Sequence, residues 1–463
     1  MAKSEHSSEK RGDTPGVSPE NSLVNAVHPM TALRTRGRLF GVVVRPLQAF
    51  LRLEAASGLL LLFAAACALL WANLDGDSYR QVVGYQLVVG AGKSQTNFSL
   101  AELVNDGLMT LFFFVVGMEI KRELVVGELD TVPKASLPAI AAIGGMIVPA
   151  GIFLAINGGG PGAHGWGIPV ATDIAFCVGV LTLLQKRVPR ALIVFVTALA
   201  IFDDIGGILV IAFFYGHGIE VGWLLAATGV TLLLAIFNWQ YVRNGIAYAV
   251  VGGALWYALH RGGIHATIAG VITGLMIPAR PPRSSRHVIR ELTEHVTRLD
   301  RNASDDELGA AEILMIEEKL EELEAPLHRF VHLLHPYVAY FTMPVFALAN
   351  SGVSLRGVGL SILATPVALG VAIGLLVGKQ LGIFASAALT VRLGFAPMPG
   401  GAPMSRLYGA SIVAGIGFTV ALFIATLAYR EDPVLLAEAK AGILVGSLAS
   451  GVLGAAFLRL IRG

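Results

Sequence analysis

Charge is scarce in this chain of 463 residues: charged residues make up 14% of it, hydrophobic residues 55%, and the mean hydropathy is +0.69. An ordinary soluble domain carries about 25% charged residues, so this composition excludes that class. Cysteine is also rare. Cys67 and Cys177 lie in separate apolar runs, which excludes a disulfide framework and gives no cysteine metal-site pattern. The chain lacks GxxxxGK[ST] and a soluble catalytic domain, so we expect no nucleotide, nucleic acid, cofactor or enzymatic activity.

Long apolar runs fill most of the chain. Runs of about 17 to 25 apolar residues predict membrane-spanning helices, and we predict an all-α polytopic membrane protein with about twelve of them. The spans begin near Ala56, Ala101, Ala135, Trp166, Arg190, Val221, Gly245, Gly262, Val331, Ser361, Ser405 and Val434. They group as helices 1 to 8 in residues 55–279 and helices 9 to 12 in residues 330–463.

Two hydrophilic regions flank or interrupt the spans. Residues 1–54 begin with a 33-residue segment that is polar overall and lacks the apolar core of a signal peptide, and we expect a disordered cytoplasmic tail followed by a basic juxtamembrane segment. Residues 280–329 form a cytoplasmic insertion, in which apolar residues recur at helical spacing from Ile313 to Leu323. This spacing predicts an amphipathic helix that either lies on the membrane side of the protein or regulates it.

The distribution of basic residues indicates the orientation. With twelve spans and a cytoplasmic N-terminus, both termini are cytoplasmic. The inner loops then carry Lys121, Arg122, Lys134, Lys186, Arg187, Arg190, Arg243, the basic stretch 280–290, Arg392 and Arg406, whereas the outer loops hold only Arg80, Lys93, Arg261, Arg356 and Arg430. This asymmetry obeys the positive-inside rule.

The first outer loop, about residues 84–100, alternates apolar residues around Gly90 and Gly92, which predicts a β-hairpin. Because an isolated hairpin is only marginally stable, we expect it to pair with its copy in a second subunit.

The charged residues Asp173, Asp203, Asp204 and Lys379 all lie within apolar spans. An unpaired charge is costly in a membrane and usually marks a functional site. Each half of the chain has one interrupted span, in GIPVATD around Pro169 and in AGIGFT around Gly415 and Gly417. Paired interruptions are typical of inverted-topology transporters with a midplane site. At such a break we expect Asp173 to compensate the positive helix ends, and Lys379 to compensate the negative ends or to pair with Asp203. The alternative is that the two charges do no more than balance helix ends or, for the lysine, reach the interface.

The aspartate pair suggests a chemistry. Desolvation and mutual repulsion both favour the protonated form of a buried carboxylate, whereas a hard monovalent cation favours the ionised form. Sodium and protons therefore compete for the same oxygens, and a site that opens alternately to two sides exchanges them. We expect Asp204 to be the principal cation carboxylate and Asp203 its proton-carrying or Lys379-paired neighbour. Thr172 and freed backbone carbonyls supply further ligands.

Several segments resemble the NhaA family of bacterial sodium/proton antiporters. In chain order they are VNDGLMTLFFFVVGMEIKREL from Val104, ATDIAF from Ala171, HATIAGVITG from His265, LHPYVAYFTMPVFALANSGVSL from Leu334, VGKQLGI around Lys379 and GIGFTVALFIA from Gly415. The resemblance runs from about Ala55 to Leu458. It implies a twelve-helix bacterial inner-membrane protein with crossing, partly unwound fourth and eleventh helices, and a homodimer joined partly through the hairpin. It also implies electrogenic, pH-activated export of sodium or lithium driven by proton entry, which serves sodium and pH homeostasis.

The resemblance also implies residue roles. Asp204 and Asp203 match the sodium and proton carboxylates, Thr172 and Asp173 the fourth-helix break, and Lys379 the tenth-helix lysine. Further matches are Asp106, an acid of the second helix, and Glu119, Glu123, His265, His332 and His335, which are associated with the cytoplasmic funnel and pH response. One departure concerns pH sensing: Val331 stands where the family has an acidic residue before His332.

Rival functions remain open. An intramembrane aspartyl protease needs two aspartates on facing helices, whereas neighbours on one helix point about 100° apart. Asp173 and Asp204 could face each other, but neither has a GxGD-type context. A cation channel or a sodium-coupled symporter is the stronger rival. A symporter needs an organic-substrate pocket with further polar groups, and few polar residues besides the charged set lie in the spans.

Overall fold

The structure is a computed structural model that describes residues 56–91, 94–216, 218–281, 285–302, 314–316, 323–354 and 359–461. The N-terminal tail, and most of the segment predicted as an amphipathic helix in the insertion, lie outside these residues. Within the insertion the structure instead has a helix over Ser285–Asn302, which the apolar spacing noted in the sequence did not single out.

Helices make up most of the described chain. They are α1 (Ala56–Leu74), α2 (Gly76–Val83), α3 (Leu100–Val125), α4 (Val132–Asn157), a 3-10 helix (Pro161–Val170), α5 (Ile174–Leu183), α6 (Arg190–Phe214), α7 (Val221–Trp239), α8 (Gly245–Arg261), α9 (Ile268–Leu275), α10 (Ser285–Asn302), α11 (Pro326–Asn350), a 3-10 helix (Gly359–Ala364), α12 (Pro366–Arg392), a 3-10 turn (Pro399–Gly401), α13 (Met404–Val413), α14 (Phe418–Ala428) and α15 (Pro433–Leu460).

Eight of the described helices are long and apolar enough to cross a membrane, and two bent pairs raise the number to ten. Helices α8 and α9 occupy the positions of the seventh and eighth predicted spans, but they are only 17 and 8 residues long. The predicted all-α multi-pass architecture is confirmed, whereas the count of twelve spans is not.

The outward faces of these helices are apolar. On α7, Leu225, Leu232 and Trp239 are all more than 60% exposed. A contiguous apolar surface of this kind is not tolerated in water and is what a lipid environment requires.

The predicted hairpin is confirmed. Strands β1 (Gln86–Ala91) and β2 (Ser94–Ser99) pair antiparallel, from Gln86 opposite Ser99 to Ala91 opposite Ser94. The two strands form a sheet of their own, and Ser99 ends β2 by capping the start of α3.

Glycines bring α12 into backbone contact with α4. A Cβ at Gly382 would lie 2.2 Å from the carbonyl oxygen of Gly144, and one at Gly378 would lie 2.7 Å from Cα of Pro149. This is the close packing that a GxxxG pair permits between membrane helices. Lys379 lies between the two glycines, directly after the π-helical segment Gly374–Gly378, and is fully buried.

The short helix α2 is anchored through Tyr79. Its hydroxyl lies 3.0 and 2.8 Å from the carbonyl oxygens of Leu348 and Ala349 at the end of α11. Burial raises the pKa of Tyr79 to about 12. A Cβ at Gly352 would lie 2.3 Å from the tyrosine ring, so only glycine fits opposite it.

Candidate cation and proton site

Two broken helices meet in the middle of the protein. The chain is extended between Pro161–Val170 and α5, with a bend of 42°, and unwinds between α13 and α14, with a bend of 46°. The breaks touch: the backbone N–H of Asp173 donates to the carbonyl of Ile416 over 2.7 Å. Gly417 makes this approach possible, since a Cβ there would lie 2.9 Å from the carbonyl oxygen of Ala171. The breaks predicted around Pro169 and Gly415 are therefore confirmed.

Asp173 lies between two helix N-termini. Its carboxylate caps α5 by accepting from the N–H of Phe176 (3.2 Å), and it accepts from both the N–H (3.1 Å) and the hydroxyl of Thr419 at the start of α14. Helix N-termini carry partial positive charge, so both ends are neutralised by one residue that is 1% exposed. Charge compensation by Asp173 stays a prediction, and these contacts are the geometry that it requires.

Two residues at this junction were missed in the sequence. Thr419 is the second residue of α14, and a hydroxyl directly after the Gly417 break is the sequence signal that could have marked it. Ser447 on α15 accepts from the N–H groups of Gly417 (3.3 Å) and Phe418 (3.2 Å). No sequence signal marks Ser447, because its partners lie 30 and 29 residues away.

Lys379 pairs with Asp203. The ammonium nitrogen lies 2.5 Å from Asp203 Oδ2, and both side chains are fully buried. The Thr172 hydroxyl lies 2.6 Å from the same oxygen and 3.1 Å from the carbonyl oxygen of Ala414, so its single proton has two acceptors. Of the two pairings left open for Lys379, the structure therefore shows the one with Asp203.

Asp204 is the next residue on α6 and is 2% exposed. Among the described residues, neither its Oδ1 nor Oδ1 of Asp203 has a hydrogen-bond partner. The charges of Asp203, Asp173 and Glu119 act on Asp204 repulsively, against the attraction of Lys379. Three buried aspartates thus share one buried lysine, and such an excess of negative charge is stable only when it binds a proton or a cation.

Glu119 and Glu123 lie in the last two turns of α3. Glu119 Oε1 is 4.0 Å from His335 Nε2 of α11. Glu123 pairs with Arg122 over 3.1 Å and accepts from the N–H of Glu128. These acids therefore contact basic or backbone partners at one end of the protein.

His265 and Asp106 lie together, apart from those acids. His265 Nε2 is 3.8 Å from Asp106 Oδ1, and its Nδ1 is 3.0 Å from the Thr267 hydroxyl. Asp106 precedes Glu119 by 13 residues on α3, which is about 20 Å along a helix. The structure therefore does not bring His265 together with Glu119 and Glu123.

His332 packs against His328, a histidine that the sequence analysis did not single out. Its ring lies 4.4 Å from that of His328, whose Nδ1 is 3.1 Å from Glu324 Oε1. Val331, which replaces the acid of the family pattern, is 4% exposed and packs in the core. An apolar residue at 331 therefore fits its surroundings.

Broken helices that meet at a buried acidic cluster are typical of secondary transporters of the membrane. The chain belongs to the NhaA family of Na+/H+ antiporters: the family model described as Na+/H+ antiporter 1 matches residues 48–458. This chain is 62% identical to "Na(+)/H(+) antiporter NhaA" of Anaeromyxobacter sp., over 91% of this chain and 93% of that protein. It is 57% identical to "Na(+)/H(+) antiporter NhaA 1" of Myxococcus xanthus, over 91% and 94%. A solved sodium proton antiporter of Methanocaldococcus jannaschii is 14% identical, with a TM-score of 0.43 over 89% of this chain and 96% of that chain, a likeness too weak to add to the fold description.

Proposed function

We propose that this protein exports Na+ or Li+ across the bacterial inner membrane in exchange for protons, at the site formed by Asp203 and Asp204. The observation that carries the proposal is that two buried carboxylate oxygens, Oδ1 of Asp203 and Oδ1 of Asp204, have no hydrogen-bond partner in the part of the chain that the structure describes. These oxygens lie where two broken helices expose backbone carbonyls. Orphaned buried acceptors require a proton or a cation.

One site serves both ions because they need the same oxygens. A dehydrated alkali cation is hard and prefers carboxylate, hydroxyl and carbonyl ligands, which Asp204, Asp203 and Thr172 supply. Protons added to the same carboxylates remove that ligand set and release the cation. Binding is therefore competitive, and exchange follows when the site faces the two sides in turn.

The broken helices provide the alternation. The half-helices joined at Ala171 to Asp173 and at Ala414 to Gly417 have no continuous helical backbone, so a small rotation at either break changes the side from which the carboxylates are reached. Asp173 keeps the two N-termini together during this motion. Two carboxylates hold up to two protons but share one monovalent cation, which makes the exchange electrogenic, and the inward proton gradient drives it for Na+ and pH homeostasis.

We further propose that the protein is a homodimer in the lipid bilayer and is regulated by pH. The two-stranded sheet is only marginally stable alone, which supports pairing with a second copy. The contact of Glu119 with His335 and of Asp106 with His265 places titratable pairs at the two ends of α3, and these support pH regulation. We also propose that both termini are cytoplasmic, because the loops on that side carry most of the basic residues.

Transport in sealed liposomes tests the proposal. The purified full-length protein is reconstituted with an internal pH dye, and NaCl, LiCl or KCl is added outside over a series of pH values. We expect a pH change with Na+ and Li+ but not with K+, and loss of that change in Asp204→Asn with unchanged folding. Asp77→Asn, whose side chain is 83% exposed on α2, is the matched control and should transport normally.

The outcomes distinguish the rivals. Wild-type exchange by Asp204→Asn would refute the assignment of the site. A cation flux without counter-movement of protons would indicate a channel, and Na+ uptake that needs an organic solute would indicate a symporter. Clamping the membrane potential with valinomycin and K+ should change the rate of Na+-dependent proton flux if the exchange is electrogenic.

A further inference from the structure

Two histidines lie one turn apart at the start of α11. His328 and His332 fall in its first two turns, and the centres of their rings are 4.4 Å apart. Residues four apart on a helix are neighbours on its surface, so this contact follows from the spacing. The side chain of His328 is 51% exposed, and His332 is exposed as well. Because imidazole is the side chain that most often binds metal ions, two of them side by side form a candidate chelate.

The backbone that carries these histidines is held in place. On an adjoining face of the same turns, Leu327 and Val331 are 1% and 4% exposed and pack in the core. The N–H of Leu327 also donates to the carbonyl of Pro278 over 3.1 Å, which ties the start of α11 to the chain that follows α9. Ligands on an ordered backbone lose little further freedom when they bind. The spacing of the two imidazoles is therefore set before a metal ion arrives.

Glu324 determines which nitrogen of His328 is free. Its Oε1 lies 3.1 Å from Nδ1 of His328. An ionised carboxylate accepts hydrogen bonds and cannot donate one, so Nδ1 carries the proton, and Nε2 of the neutral ring keeps its lone pair for a metal ion. A histidine ligand usually donates its other ring N–H to a carboxylate or a carbonyl in this way. Glu324 is therefore an orienting partner of His328 and not a ligand.

The distance between the rings favours particular metal ions. With bonds of about 2.1 Å from the metal to one nitrogen of each ring, the ring centres are about 4.6 Å apart when the bonds meet at a right angle and about 5.3 Å apart at the tetrahedral angle. The observed 4.4 Å is nearer to the first value. Tetragonal coordination by nitrogen and oxygen is typical of Ni2+ and Cu2+. The pair therefore fits these ions better than a tetrahedral Zn2+.

We propose that His328 and His332 bind one divalent transition-metal ion of the Ni2+ and Cu2+ class, through one imidazole nitrogen each. Among the residues that the structure describes, no group of three or more histidine, cysteine or acidic side chains could hold a metal ion. The site therefore has two protein ligands, and water takes the other positions because both rings are exposed. Hard ions such as Na+ prefer oxygen ligands, so this site is separate from that of Asp203 and Asp204 and does not depend on its assignment.

Chemical footprinting of the wild type tests the site directly. The full-length protein is purified without a polyhistidine tag and treated with diethyl pyrocarbonate, which acylates accessible imidazole nitrogens, and the modified residues are mapped by mass spectrometry. The dissociation constant for NiCl2 is first measured by calorimetric titration. At about ten times that concentration about nine-tenths of the sites are filled, so modification of His328 and His332 should fall roughly tenfold. Unchanged modification of either histidine would refute the proposal.

His287 is the matched control within the same chain. Its side chain is 61% exposed, and its Nε2 lies 3.0 Å from Oε1 of Glu291, so it has a carboxylate partner as His328 does. It lacks a second imidazole, because Arg283 and Glu291 stand four residues before and after it. We expect NiCl2 to leave modification of His287 unchanged. Equal protection of His287, or protection of the pair by CaCl2 as strong as by NiCl2, would indicate unspecific surface binding and overturn the proposal.

Variants measure the contribution of each partner. In calorimetric titration with NiCl2, Glu324→Gln should weaken binding about tenfold, the loss typical of a partner that orients a histidine ligand. His328→Gln and His332→Gln should each weaken it by more than Glu324→Gln does, and His287→Gln should not weaken it. None of these side chains is buried, so the variants should fold, which the melting temperature without metal checks. Wild-type affinity in either ligand variant would refute the chelate, and wild-type affinity in Glu324→Gln would refute the orienting role.

Discussion

Removal of Lys379 should destabilise the protein through Asp203. The ammonium group lies 2.5 Å from Asp203 Oδ2, and neither side chain is exposed. In Lys379→Met, a buried carboxylate keeps only the Thr172 hydroxyl, in a site that already holds two further aspartates. Removal of one partner of a buried ion pair typically lowers the free energy of unfolding by about 3 to 5 kcal/mol. We expect a loss of this order, and a smaller one in acidic buffer, where protonation of the unpaired carboxylate relieves it.

The double variant separates loss of charge pairing from loss of packing. In Asp203→Asn with Lys379→Met both charges are gone and the methionine keeps most of the lysine volume between Gly378 and Gly382. Replacement of a whole buried pair is often nearly neutral. The double variant should therefore be more stable than Lys379→Met alone, with a coupling energy of about 3 kcal/mol between the two sites, the upper end for residues in contact.

The assay is thermal unfolding of purified protein in detergent, followed by intrinsic fluorescence and by the monodisperse fraction after heating. All four proteins of the cycle are measured in one acidic and one alkaline buffer. If the two single losses simply add in the double variant, the pair is not coupled and the electrostatic reasoning is wrong. Stability of Lys379→Met equal to that of the wild type in both buffers would refute it as well.

Three further predictions follow from contacts of the breaks and of α2. Gly417→Ala should abolish transport and lower the melting temperature, because its Cβ would meet a backbone oxygen at 2.9 Å; Gly207→Ala, with no atom within 4 Å, should do neither. Thr419→Val should cost about 1.5 to 3 kcal/mol in thermal unfolding, since it removes one hydrogen bond to the carboxylate of Asp173, and unchanged stability would contradict this. The pKa of Tyr79 is raised from 10.0 to about 12, so wild-type stability should fall as pH rises through that interval, and the same fall in Tyr79→Phe would exclude this cause.

The sequence predicted the positions of the breaks and of the buried charges because both depend on local residues. Proline and glycine interrupt a helix irrespective of the helices packed around it. A charge in the middle of a membrane span is likewise away from water irrespective of its partners in the fold. The choice between two partners for Lys379 stayed open because Asp203 lies 176 residues away, and spacing carries no information on distance between helices.

The short helices α8 and α9 show a different limit. An apolar run extends from Gly262 to Ala279, but α9 covers only Ile268–Leu275. Gly263 adopts a φ of +79°, which turns the chain before the helix begins. Hydropathy measures how apolar a segment is, but it does not show which part of the segment is helical. The sequence analysis grouped His265 with Glu119 because both were assigned to the pH response. A common role does not place two residues at the same end of α3, so the distance between them could not be predicted.

The way Asp173 is held has a consequence for the synthesis of the protein. Its partner Thr419 follows 246 residues later in the chain, which at 5 to 20 residues per second is a delay of roughly 12 to 50 s. Lys379 follows Asp203 by 176 residues, so for most of that time both acids are already made while the lysine and the helix start that hold them are still absent. The nascent chain must therefore keep these acids near water or protonated. The transport core is completed only when its last third enters the membrane, so truncated chains that end before α14 should be rapidly degraded.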